Sequence, residues 1–177
     1  MDSGLLVLRL VVGLLIAGHG VQKVSFRLGG NGLAGGTEEF RRDGFRGGVL
    51  TALAAGGSQI GAGLFLAAGL LTPLAATAAM GVMTVAGTVK WRKGLWVQND
   101  GYEYPLVLVT VAAVLALTGP GRWSLDHLLG PATWPVWVSL AAIAIGPVSG
   151  LITRTALRRP TADDATNGRT PHAKAAD

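Results

Sequence analysis

Apolar residues run through this chain in blocks of membrane-spanning length, about residues 4–24, 48–71, 73–89, 102–118 and 131–152, separated by short polar or glycine-rich breaks. Crossing a hydrocarbon core of about 30 Å takes roughly 20 apolar residues at about 1.5 Å each. Each block therefore predicts a transmembrane helix. The breaks carry turn chemistry. Leu71-Thr72-Pro73 predicts a very tight turn, with Thr72 placed to cap and Pro73 in the first helical turn, so the second and third helices run antiparallel. Gly119-Pro120-Gly121 ends the fourth helix, and Pro147 predicts a kink in the fifth. Between the first two blocks, Thr37-Glu38-Glu39-Phe40-Arg41-Arg42 suits either a short helix at the membrane surface or a solvated loop.

The fold class that follows is all-α integral membrane: a four-helix transmembrane bundle over residues 1–130 with an added fifth C-terminal helix over 131–152. Residues 153–177 show no periodic apolar face, which predicts a disordered cytoplasmic tail. Composition agrees, since half of the residues are hydrophobic and only 14% are charged, too few to cover a soluble surface. The first block is expected to be retained as a helix rather than removed as a secretory signal, because its leader lacks a basic residue and Arg9 interrupts the apolar run. Gly57 and Gly61 in the second block form a small-xxx-small pair that invites close helix packing.

Charge sets the topology. The first loop, the third loop and the C-terminal segment hold all of the 15 Lys and Arg except Arg9 and Arg122. The positive-inside rule then puts the N-terminus outside and the C-terminus in the cytoplasm. The Trp and Tyr residues fall at predicted span ends, as an aromatic belt requires. The net charge of +5 thus reflects topology, with lipid as the partner and no nucleic acid. The chain has no cysteine, which excludes thiolate nucleophiles and disulfides within it.

The ionisable residues inside the apolar blocks are the candidate chemistry, because a charge in the bilayer centre costs on the order of 3 kcal/mol or more and needs a protein partner. Arg9 and Lys23, fourteen positions apart, fall within about 40° on one stripe of the first helix, and His19 lies one turn before Lys23. Lys23, Lys90 and Glu103 share the cytoplasmic ends of their helices, with His19 and Gln59 deeper. They predict a pocket in which His19 exchanges protons with Glu103 while Tyr102 or Trp96 lines an apolar entrance. The same residues also fit a structural role, with Glu103 neutralising a lysine and His19 capping a carbonyl. At the other end, Arg9 and Asp126 should share a depth and form a structural ion pair. His127 and His172 lie elsewhere, so no metal set and no bis-histidine haem site is expected.

Three stretches, LRLVVGLLIAGHGVQK, GAGLFLAAGLLTPLAATAAMGVM and GLWVQNDGYEYPLVL, followed by LTGPGRWSLDHLLG, resemble the DoxX family of small membrane proteins. The resemblance covers about residues 4–130, with HGxxK, GYEYP and GPGxxSLD in order. It departs from the family at Gln59, where a glutamate is usual, and at Pro73, where a basic residue usually follows the threonine. The resemblance implies a four-helix module in a bacterial cytoplasmic (inner) membrane, akin to proteins linked to thiosulfate:quinone oxidoreductase and to a mycobacterial complex with superoxide dismutase and a sulfurtransferase. It implies soluble or membrane redox partner proteins and no covalently bound cofactor, with quinone as the candidate ligand. Two readings stay open. The chain is either a redox-associated subunit holding a quinone or small sulfur compound near His19, Lys23 and Glu103, or a non-catalytic scaffold or lipid-binding protein.

Overall fold

The computed structural model describes residues 2–130 and 134–159. The elements are helices: α1 (Asp2–Val24), α2 (Gly32–Arg42), α3 (Val49–Ala68), α4 (Thr72–Lys90), α5 (Glu103–Thr118), α6 (Leu125–Leu129) and α7 (Val136–Ala156), with short 3-10 turns between them. No strand occurs among the described residues. α1, α3, α4 and α7 are long and apolar enough to cross a bilayer, and α5 is a shorter apolar helix. The protein is thus an all-α multi-pass membrane protein. α1, α3, α4 and α5 form the four-helix core, and α7 lies against α4 and α5.

Glycine fixes the two closest helix pairs. In hydrocarbon there is no hydrophobic gain from helix pairing, so backbone approach and packing supply the attraction. α1 meets α3 at Gly13 against Gly63 and at Gly20 against Gly56. The contact face of α3 is therefore not the one carrying Gly57 and Gly61, which have no neighbour where a side chain would project. α7 meets α4 in the same way, with Gly150 against the Gly81 carbonyl. Ile16, Leu66, Met80 and Leu115 fill the shared core. Leu14, Leu50, Leu64, Leu106 and Leu140 point outward, the lipid-facing complement of that core.

Two boundaries differ from the sequence expectation. α2 begins at Gly32, more than a turn before Thr37, and Thr37 sits inside the helix donating its hydroxyl to the Leu33 carbonyl. Poor helix propensity of glycine is overridden because Gly36 lies directly on the Lys23 carbonyl, where a Cβ would fall at 2.2 Å. The stretch after residue 152 is also ordered at its start. α7 continues to Ala156, Arg46 N–H donates to the Leu157 carbonyl and Arg159 N–H to that of Gly44. The remainder of the expected tail, residues 160–177, lies outside the described residues.

Candidate functional site

Two polar clusters sit at opposite ends of the bundle. At the end away from most Lys and Arg, Arg9 is fully buried. Its Nη1 donates to the Pro120 carbonyl and its Nη2 to that of Trp123 at 2.5 Å. Gly69 makes room, since a Cβ there would fall 2.3 Å from Arg9 Nη1. Asp126 is turned to other donors. Its carboxylate accepts from Leu71 N–H at 2.7 Å, Thr72 N–H at 2.9 Å and Trp134 Nε1–H at 3.1 Å. The expected Arg9–Asp126 ion pair is therefore not made. The loop carbonyls match the guanidinium fork, and the carboxylate caps α4 in place of Thr72. Free amides at a helix start take a carboxylate well. Burial alone would push the Asp126 carboxyl up, but the hydrogen bonds from Thr72, Trp134 and Leu71 together hold it below the ordinary range. The function of this cluster is to lock the α3–α4 turn to the loop after α5.

At the basic end, α2 lies over a cavity of about 710 Å³ walled by α1, α3, α4 and α7, with Tyr104 and Pro105 from the start of α5. His19, Lys23, Gln59 and Lys90, all expected in a pocket, do line it. Trp96, Tyr102 and Glu103 do not. They build the loop that enters α5 instead. Trp91 and Tyr102 stack with ring centres 4.8 Å apart. Glu103 Oε2 accepts from Val97 N–H at 2.9 Å, and Trp96 is 60% exposed. The Glu103 carboxylate thereby holds the first amide of the 3-10 turn Val97–Asn99 and ties that turn to the start of α5, so it has no need of a lysine. Lys90 and Lys93 both pair with Asp100, and their hydrogen bonds lower the Asp100 carboxyl to about 2.

His19 is joined by residues that sequence reasoning passed over. Its Nε2 lies 2.9 Å from the Tyr104 phenol and its Nδ1 3.0 Å from Gln22 Oε1. The Tyr104 and His19 rings meet edge to face, 5.2 Å between centres. His19 thus has no contact with Glu103, and it caps no carbonyl. The available signals were the three-residue spacing of His19 and Gln22, one helical turn apart, and a tyrosine immediately before the proline of a helix start. Lys23 Nζ lies 3.1 Å from Glu39 Oε1 and 5.2 Å from the centre of the Phe40 ring, pinning α2 over the cavity. Gln59 is 3% exposed, and its Oε1 has no hydrogen-bond partner.

The wall between α3 and α7 has a different character. Both helices pack on α4 rather than on each other, and Ala54, Ser58, Ala78, Val82, Ser149 and Gly150 face the space between them. Ser58 and Ser149 donate to the Ala55 and Gly146 carbonyls of their own helices. The groove is consequently apolar in effect. Among the described residues no group of three or more His, Cys, Asp or Glu is placed to hold a metal ion.

Comparison with known proteins fits this architecture. No curated protein and no solved structure matches the chain. Residues 4–91 match the model of the DoxX family, which takes in α1 to α4 and leaves α5, with its GYEYP start, and the GPGRWSLD loop beyond the matched stretch. Through α1 to α4, the chain belongs to the DoxX family of membrane proteins.

Proposed function

We propose that the protein binds a quinone-type molecule in its basic-end cavity and serves as the membrane subunit of a redox or oxidative-stress system. The observation that carries this reading is the composition of one cavity. It joins a polar corner, His19 with Tyr104 and the partnerless Gln59 amide, to an apolar groove between α3 and α7. Such a mix, mostly apolar with a few convergent polar groups, is what a small-molecule site requires. An amphiphile with a polar ring and a hydrocarbon tail fits both parts. A small sulfur compound would fit only the first, so the lipid-soluble ligand is the better match.

A bound quinone would supply two-electron, two-proton redox capacity. The chain's own residues bind and orient: Gln59 and Tyr104 meet the ring, and α2, clasped by Lys23 and Glu39, shields it from water. With no cysteine in the chain, electron transfer falls to a partner protein. The crowding of Lys and Arg at this end supports placing the cavity on the cytoplasmic side of a bacterial inner membrane, with the N-terminus outside.

A second reading is a lipid-binding scaffold. It is favoured by the internal pairing of the basic-end cations, Lys23 with Glu39, and Lys90 and Lys93 with Asp100, which leaves them occupied without any ligand. Titration of the nanodisc-reconstituted protein with a short-chain quinone in both redox forms separates the two. Binding that His19→Ala and Gln59→Leu weaken at least tenfold, with unchanged melting temperature, supports the first reading. Absence of binding, or binding indifferent to both variants, supports the second.

A further inference from the structure

The hydrogen bonds around His19 have a fixed direction, and that direction selects the ligand. Gln22 Nε2 donates to the Leu28 carbonyl at 2.7 Å. A reversed amide would set two carbonyl oxygens against each other, so Gln22 Oε1 must be the atom facing His19 Nδ1. An amide oxygen only accepts. Nδ1 therefore carries the proton, and in a neutral imidazole Nε2 is then the acceptor. The partner of Nε2 is the Tyr104 phenol, which must donate its single proton there. What Tyr104 has left for the cavity is an oxygen lone pair.

The element that starts this chain is held unusually. Leu28 has φ 54° and ψ 31°, a left-handed conformation that a leucine adopts only where its surroundings impose it. That turn aims its carbonyl at Gln22.

We propose that Tyr104 is the hydrogen-bond acceptor that reads the ligand's head. Gln22 is the positioning residue that sets the His19 tautomer, so the cavity selects a donor hydroxyl, as in a hydroquinone, over the matching carbonyl. This rests on the cavity being the ligand site. Gln59 Oε1 in the same wall also lacks a partner, but no hydrogen bond fixes which end of that amide faces the head, so the choice of a dihydroxy-aromatic head rests on Tyr104 and that of an apolar tail on the groove. A buried acceptor offered a carbonyl leaves both oxygens unsatisfied, and sites built on such a polar match discriminate strongly against the analogue that lacks it.

The test uses the full chain in nanodiscs at pH 8, with 15N-labelled histidine and assignment by His19→Asn. Nitrogen chemical shifts should show His19 protonated at Nδ1, and Gln22→Leu should move it to Nε2. A wild-type Nε2–H tautomer overturns the proposal whatever the ligand does. In the second arm, a decyl hydroquinone, its oxidised quinone and its dimethyl ether are titrated anaerobically. The hydroquinone should bind at least tenfold tighter than the other two. That preference should vanish in Tyr104→Phe combined with His19→Ala, which removes both the phenol oxygen and the Nε2 acceptor it covers, with melting temperatures confirming that the variants are folded. Equal binding of all three overturns the acceptor role but leaves the cavity as a ligand site. Absence of binding by any of the three overturns both.

Discussion

Gly13 of α1 and Gly63 of α3 touch backbone to backbone. A methyl group added at Gly13 would lie 2.5 Å from the Gly63 carbonyl oxygen, and one added at Gly63 would lie 2.4 Å from that of Gly13. Nothing at this crossing is a flexible side chain that could yield. Gly63→Ala should therefore destabilise the bundle by about 1–3 kcal/mol, the usual range for overpacking. Gly57→Ala, on the same helix with nothing within 4 Å of the added carbon, should be neutral or gain up to about 1 kcal/mol from helix propensity. Thermal unfolding in detergent reads the difference. Equal downward shifts for both variants would show that general helix distortion, not this crossing, sets the cost.

The buried guanidinium of Arg9 makes the opposite kind of contact, polar and with main-chain atoms. Replacing it with methionine leaves the Pro120 and Trp123 carbonyls without their donor and should cost about 2–5 kcal/mol. Exchanging the charges, Arg9→Asp with Asp126→Arg, should recover nothing, because an arginine at 126 cannot cap the Leu71 and Thr72 amides. Recovery of folded yield to half of wild type would reinstate a direct ion pair. The acid sensitivity has a definite sign. Asp126 titrates below its ordinary range, so its caps stabilise at neutral pH. That contribution is lost as pH falls below about 3.9 and through the lower folded value.

These two cases show what the amino-acid letters can and cannot convey. That Arg9 had to be buried among protein atoms followed from its place in an apolar run. Its partners did not, because carbonyl groups of a loop carry no letter of their own. The blocks themselves were legible, since hydrocarbon thickness dictates their length. The contact faces of α3 were not: Gly56 and Gly57 are chemically identical neighbours about 100° apart on the helix, and only the partner helix decides between them. At the cavity, His19, Lys23, Gln59 and Lys90 were visible as polar groups at matching depth. Glu103 misled because a helix-start carboxylate reads equally well as a cap or as a reagent. Tyr104 was hidden beside it as one more belt aromatic.

The clasp of Lys23 on Glu39 ties α2 to α1 across the cavity mouth. Both side chains are partly exposed, 21% and 44%, so the pair should contribute no more than about 1 kcal/mol. That is enough to matter for a short amphipathic helix. Lys23→Gln should raise hydrogen exchange in α2 while leaving α3 and α4 unchanged. The charge exchange Lys23→Glu with Glu39→Lys should restore most of the protection. Exchange in α2 insensitive to either change would assign the hold to Phe40 and Gly36 alone.

Asp43, at the end of α2 and in the cavity wall, runs against its surroundings. Burial first, and the Glu39 carboxylate second, push its carboxyl above the ordinary value, against smaller opposing effects from Arg42, Lys23 and Arg154. It also stands at the negative end of the α2 dipole. With a raised folded value the folded protein favours the protonated acid, so ionisation costs stability. The penalty is absent below the unfolded value of about 3.9, grows as pH rises, and is complete once pH exceeds the folded value. Asp43→Asn should therefore stabilise the protein at pH 7, by on the order of 0.5 kcal/mol for a half-buried site, and change nothing at pH 3.5. The Asp43 carbonyl, which accepts from Arg154 Nη1 at 3.1 Å, is untouched by the substitution. Melting curves between pH 3.5 and pH 7.5 decide it: a gain of equal size across the whole range would mean that asparagine acts through helix capping and not through removal of a charge.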